Sequence, residues 1–139
     1  MPDMNDWNRL VMEDFRANGG KAGGMWEGRP LLLLTTTGAK SGQRRTSPVM
    51  YLRDGERLLV FASKGGAPTN PDWYHNLLAH PEVTVEVGDE TYDAIATPLT
   101  GEERDQLYAQ WAELYPQFGE YQKKTTRKIP VVALERRKG

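Results

Sequence analysis

The stretch LLLLTTTGAKSGQRRTSPVMYLRDGERLLVFA, residues 31–62, decides the fold class of this chain. It opens on Leu31 to Thr37, a short apolar and β-branched run of the kind that forms a buried strand. A loop rich in glycine and cations follows, and a second strand is predicted from about Thr46 to Arg53. Asp54-Gly55 then marks a tight hairpin turn, because glycine accepts the positive φ such turns require, and Arg57 to Ala62 returns beside the second strand.

Outward from this stretch the hairpin pattern recurs. Val83 to Val87 and Thr91 to Thr97 flank the turn Gly88-Asp89, and Val131 to Glu135 reads as a last strand. Helices are expected between them. Asn5 or Asp6 can cap a first helix with Trp7, Leu10, Val11 and Phe15 on one apolar stripe, ending at Asn18-Gly19-Gly20. Asn70-Pro71-Asp72 predicts a capped start with proline at the first helical position, leading into Trp73 to Ala79, and Pro81 stops that helix. Thr100-Gly101-Glu102-Glu103 matches a capping box, and Leu107, Trp111 and Leu114 give the expected inward face of a later helix. Six strands, mostly joined as hairpins with helices inserted among them, disfavour a parallel doubly wound sheet. The expected fold is mainly β with α (α+β): an antiparallel barrel or half-open barrel surrounded by helices, with ligands at a mouth or a subunit seam.

The 139 residues fit one domain, 1–139, of which 1–24 form the first helix and a glycine-rich connector. That connector, Gly19 to Gly24, is expected to be loose, either as a plain linker or as a lid. Hydrophobic residues at 38% and charged residues at 27% exclude disorder and fibrous repeats, and the absence of cysteine excludes disulfides and thiolate metal sites. No signal-peptide pattern opens the chain and the longest apolar run, Leu31 to Leu34, is too short to span a bilayer, so a cytoplasmic location is expected. The net charge of −1 argues against nucleic acid as a partner. The charge is nevertheless unevenly spread: from Arg29 to Lys64 the balance is +5, leaving −6 elsewhere, so an anion belongs in that segment.

Its centre is Gly38-Ala39-Lys40-Ser41-Gly42-Gln43-Arg44-Arg45. Glycines let backbone N–H groups approach an anion, and Lys and Arg add charge-assisted hydrogen bonds to phosphate oxygens. The alternative is a solvated basic hairpin loop. An ATP-binding loop is disfavoured, since Ala39 occupies the glycine position and a strand follows where a helix is required. Ser63-Lys64-Gly65-Gly66 ends a strand where hydroxyl and backbone donors can meet a planar polar ring, or serves simply as a turn. Tyr115, Phe118 and Tyr121 stand three apart, a spacing more often of core aromatics than of a ligand wall, though phenols beside a ring can donate protons. His75 and His80 have no third ligand, so no metal is predicted, and no nucleophile elbow or dinucleotide fingerprint is present.

Read as strings, residues 31–43, Ala62-Ser63-Lys64-Gly65-Gly66 and Asn70-Pro71-Asp72-Trp73-Tyr74 closely resemble the deazaflavin-dependent nitroreductase family. The resemblance extends from Phe15 through Asn18-Gly19-Gly20-Lys21 to Arg127-Lys128-Ile129-Pro130-Val131. It implies a split β-barrel that binds coenzyme F420, a deazaflavin with a phospholactyl and oligoglutamate tail. By similarity Lys40, Ser41 and Arg45 hold the phosphate and nearby carboxylates, while Thr46, Pro48 and Met50 line the ring. Ala62, Ser63, Lys64 and Gly65 contact its polar edge, Trp73 and Asn76 close the other side, and Tyr115, Phe118 and Tyr121 border the substrate space. Phe118 stands where nitroreducing members resemble one another in having tyrosine, and Ala39 and Arg44 replace a basic residue and a proline.

The resulting expectation is hydride transfer from reduced coenzyme F420 to a small electron-poor acceptor, a quinone, enone or nitroaromatic, with protonation by Tyr121, Tyr115, Ser63 or solvent. Two alternatives are a non-catalytic deazaflavin carrier and a reductase using flavin mononucleotide (FMN) on the same barrel. A homodimer and a transient membrane-surface contact by the first helix are further expectations.

Overall fold

The computed structural model describes residues 4–17, 30–63, 70–88 and 90–137. In chain order the elements are α1 (Met4–Ala17), β1 (Leu31–Thr37), β2 (Arg44–Asp54), β3 (Arg57–Phe61), α2 (Asp72–Ala79), β4 (Glu82–Val87), β5 (Glu90–Leu99), α3 (Gly101–Leu114), α4 (Pro116–Lys124) and β6 (Val131–Arg136). The strands run in the order β1-β2-β3-β6-β5-β4 and close back on β1, every pair antiparallel. This is the six-stranded barrel expected from the hairpins, and Gly55 sits in the first of them at φ 63°.

Side chains alternate across each strand, so every strand contributes to two layers. Inward, Leu32, Leu34, Leu58, Val60, Val83, Val85, Val132 and Leu134 fill the barrel, and Trp73 and Leu77 of α2 join this cluster. Outward, Leu31 and Leu33 are covered by Val11 and Phe15 of α1. Leu59, Phe61, Val131 and Ala133 are covered by Tyr108 and Trp111 of α3 and Phe118 of α4. Burial on both faces is why β1, β3 and β6 read as continuous apolar runs.

Several local expectations are corrected. The first helix begins at Met4, ahead of Asn5 and Asp6, and Leu10 is 51% exposed. Pro71 is the N-cap of α2 rather than its first residue, and the Asn70 side chain accepts a hydrogen bond from Arg127 instead of capping. Thr100 precedes α3 without a side-chain cap, because Gly101 enters the helix at φ 64° and Glu103 is paired with Arg57. The buried face of α3 is Arg104, Tyr108 and Trp111, while Leu114 is 56% exposed. Beyond it, residues 116–124 form a separate helix, with Tyr115 as both C-cap of α3 and N-cap of α4.

The corner between α3 and α4 is fixed by Tyr108, whose hydroxyl donates to the Phe118 carbonyl at 2.6 Å. Burial pushes this phenol up to about 12, so it is a donor at neutral pH. Tyr108→Phe should destabilise the fold by about 0.5–1.5 kcal/mol, since it deletes one buried hydrogen bond between α3 and α4. With the folded pKa above the ordinary 10.0, the folded state keeps its proton longer, so this contribution is complete below pH 10 and lost as pH rises through 12. Urea denaturation at pH 8 and in the alkaline range checks both, and a variant with wild-type stability at pH 8 refutes the assignment.

Candidate active site

The barrel splits along β2. Residues 44–50 pair with 37–31 of β1, whereas 51–54 pair with 60–57 of β3. From Arg44 to Met50 one edge of β2 therefore has no partner strand among the described residues. Tyr51 N–H donates to the Pro30 carbonyl at 3.1 Å, which places odd-numbered amides of β2 toward β1 and the even positions on the open edge. Pro48, lacking an N–H, falls on that edge, where proline costs no ladder bond.

β2 is also the strand in which no side chain is fully buried. Thr46, Pro48 and Met50 share its outer face, together with Leu52. Met50 and Leu52 pack against the α3–α4 cluster, and α1 covers the neighbouring strand. A partly covered strip of sheet thus runs along β2 between the α1 cluster and the α3–α4 cluster. The three residues expected to line a ring are all on it. Thr46 is fixed there by a 2.7 Å hydroxyl contact with Thr35.

At the Arg44 end of this strip lies the glycine-rich loop. Gly38 N–H donates to the Gln43 carbonyl at 2.8 Å, Gly42 N–H to the Gly38 carbonyl at 3.0 Å, and Gln43 N–H to Ser41 Oγ at 3.2 Å. Ala39 N–H donates to Asn76 Oδ1 at 3.0 Å, while Asn76 Nδ2 donates to Thr36 Oγ1 at 3.2 Å. A Cβ on Gly38 would lie 2.4 Å from Ser41 Oγ, so a side chain there would displace the Ser41 hydroxyl from the loop. The network leaves the amides of Lys40 and Ser41 uncommitted among the described residues. Arg44 is tied to Thr37 and Thr84, at 3.1 and 2.6 Å, whereas exposed Lys40 and Arg45 carry no ion pair among the described residues. A braced loop with two spare cations suits a phosphate-bearing acidic tail.

Asn76 is thus placed behind the loop as its brace, buried in α2, and Trp73 packs in the barrel interior. Ala62 is likewise wholly buried at the end of β3. Ser63 is 8% exposed, yet its hydroxyl has no partner among the described residues. Lys64 and Gly65, and the connector Gly19 to Gly24, lie outside the described residues. Arg127 donates to the carbonyls of Ala62 and Ser63 at 3.1 and 2.7 Å and to Asn70 Oδ1 at 2.7 Å. Residue reading alone did not single it out, because its partners are 57 to 65 positions away and no local pattern announces them.

The aromatic wall comes from α4 and the residue before it. Phe118 meets Trp111 at 5.1 Å and Tyr121 at 5.2 Å, both edge to face, and Tyr115 lies 4.6 Å from Trp111. Phe118 is buried at the base of this cluster, while Tyr115 and Tyr121 are half-buried. Neither tyrosine hydroxyl has a hydrogen-bond partner among the described residues. His75 and His80 are exposed, and no metal-binding cluster occurs among the described residues. A separate cavity of about 760 Å³ at the opposite mouth contains none of the expected residues. Its charges largely answer one another, Arg57 with Asp54 at 2.9 Å and Arg136 with Glu90 at 2.5 Å.

The F420H(2)-dependent quinone reductase family model matches residues 7–136. An F420H(2)-dependent quinone reductase of Mycobacterium tuberculosis is 42% identical over 135 residues, which span 93% of this chain and 89% of that protein. A solved structure of an F420-H2-dependent reductase (FDR-A) superposes with a TM-score of 0.70 at 46% identity, covering 77% of this chain and 95% of its own. Another, described as a domain-swapped dimer, gives 0.72 at 42% identity and covers 96% and 100%. The heme storage protein HutZ of Vibrio cholerae shares the fold alone, at 19% identity and a TM-score of 0.61. The chain therefore belongs to the F420H(2)-dependent quinone reductase family and is an oxidoreductase whose cofactor is coenzyme F420.

Proposed function

We propose that the protein reduces a quinone at the partly covered outer face of β2, with Lys40, Ser41 and Arg45 holding the acidic tail of the cofactor and Thr46, Pro48 and Met50 lining its ring. The observation that carries this reading is the half-covered outer face of β2, bounded by a basic loop at one end and by α4 aromatics along one side. Reduced coenzyme F420, when bound, supplies the hydride. The protein's own contribution is placement: Asn76 braces the loop from behind, and Ser63 offers at the polar edge a hydroxyl that has no partner among the described residues. Tyr115 and Tyr121 border the acceptor, and one of their hydroxyls gives a proton to the reduced quinone oxygen as hydride arrives, regaining it from solvent. Two electrons and two protons in total convert the quinone to the hydroquinone.

A quinone is preferred to a nitroaromatic because Phe118 presents no phenol to a nitro group. The relatives' names point the same way. No described helix is long and apolar enough to cross a membrane, and the proposed location is the cytoplasm. A homodimer is proposed from the dimeric relative.

The test is oxidation of reduced F420 followed by its absorbance, with a quinone, an enone and a nitroaromatic as acceptors. Turnover should be fastest with the quinone. Faster nitroaromatic reduction would refute the acceptor assignment, and tight cofactor binding without turnover on any acceptor would establish a carrier instead.

A further inference from the structure

Arg127 lies in the connection between α4 and β6, and its guanidinium acts on a distant part of the chain. The β3–β6 ladder ends at Phe61 with Val131. Just beyond it, the carbonyls of Ala62 and Ser63 must find donors outside the ladder. Arg127 provides both from one rigid fork and binds the Asn70 side chain with the same group. The end of β3 and the approach to α2 are thereby pinned to one side chain.

The other end of Arg127 is fixed to α4. Its carbonyl accepts from Gln122 Nε2 at 2.7 Å. Gln122 Oε1 in turn accepts from Arg104 Nη2 at 2.7 Å and from Ile129 N–H at 3.0 Å. Arg104, 7% exposed, completes the set by donating to the Ile129 carbonyl at 3.0 and 2.7 Å. Gln122 directly follows Tyr121 in α4, so the same backbone carries the network and the aromatic wall. Apolar packing is non-directional, whereas this chain of hydrogen bonds fixes orientation as well as distance.

We propose that Arg127 is a positioning residue: it sets the end of β3, with Ser63, against the Tyr115 and Tyr121 wall of α4, and so fixes the geometry in which hydride is delivered. The inference rests on the reading that Ser63 and these tyrosines border the reacting groups. It concerns orientation and assigns Arg127 no contact with substrate.

The experiment compares Arg127→Gln, Arg127→Lys and Ser63→Ala with wild type for melting temperature, F420 affinity by fluorescence, and kcat and KM for a quinone. Arg127→Gln should lower kcat by about 10- to 100-fold, the scale of a small misplacement of reacting groups, at temperatures where the variant is fully folded. The acceptor KM should move by less than about threefold. Arg127→Lys keeps the charge but not the fork and should fall between the two. A folded Arg127→Gln with wild-type kcat and F420 affinity overturns the proposal, as does a lowered melting temperature alone. If Arg127→Gln does not fold, Arg127→Lys decides: wild-type kcat refutes the role, and reduced kcat with an unchanged melting temperature supports it. Ser63→Ala keeps the backbone that Arg127 holds and deletes only the hydroxyl. If it behaves as wild type while Arg127→Gln is impaired, the positioning role stands and the placement of the Ser63 hydroxyl at the cofactor fails.

Discussion

Replacing both Tyr115 and Tyr121 by phenylalanine is expected to lower quinone turnover by about 10²- to 10⁴-fold, the usual range for loss of a general acid. F420 affinity should hardly change. The substitution retains nearly all of the aromatic area that packs the α3–α4 cluster. Neither hydroxyl has a hydrogen-bond partner among the described residues, so its deletion leaves no known partner unsatisfied. A loss confined to kcat and kcat/KM would mark an interaction made only in the transition state. Steady-state kinetics of the two single variants and the double variant, with cofactor binding measured separately, locates the donor. Turnover equal to wild type in the double variant would move protonation to Ser63 or to water and leave the aromatic wall as packing.

Lys40→Ala and Arg45→Ala should each weaken F420 binding by about 10- to 100-fold, corresponding to one charge-assisted hydrogen bond of about 1.5–3 kcal/mol. Both side chains are exposed and without ion pairs among the described residues, so truncation strands no partner in the free protein. The effect should shrink as ionic strength rises, because solvent-exposed charges are screened by salt. Fluorescence titration at low and high salt tests both statements. Unchanged affinity in both variants would refute the basic-loop assignment without touching the Tyr115 and Tyr121 experiment.

The barrel was legible wherever its pairing is local. Asp54-Gly55 and Gly88-Asp89 announce the β2–β3 and β4–β5 hairpins because the turn residues lie between the strands they join. The insertion of β6 between β3 and β5 is not announced, since Leu58 meets Leu134 across most of the chain. Helix ends are obscured in the sequence for a related reason. Asn70 and Glu103 have the residue types of caps, but distant arginines claim their side chains. Hydropathy places Leu114 inward and Arg104 outward, because such a pattern cannot foresee a buried carbonyl at Ile129 that needs a guanidinium. At the site, composition alone pointed to the loop around Lys40. Resemblance supplied the β2 residues, which then fell on one face. The bracing role of Asn76 and the reach of Arg127 had no sequence signal, because each is defined by partners on other elements.

The central place of β6 also governs how the polypeptide reaches its native state. Until synthesis has passed Arg136, β3 and β5 each lack the neighbour that lies between them. During that interval the apolar run Leu58 to Phe61 has one unpaired edge, and the hydrophobic floor later formed by Val132 and Leu134 is missing. Two early hairpins can form on the ribosome, but the ring cannot shut until β6, the last of its six strands in chain order, arrives. Barrel closure therefore waits for β6, and until that strand is in place the open edges of β3 and β5 are available to another copy as well as to the chain's own sheet.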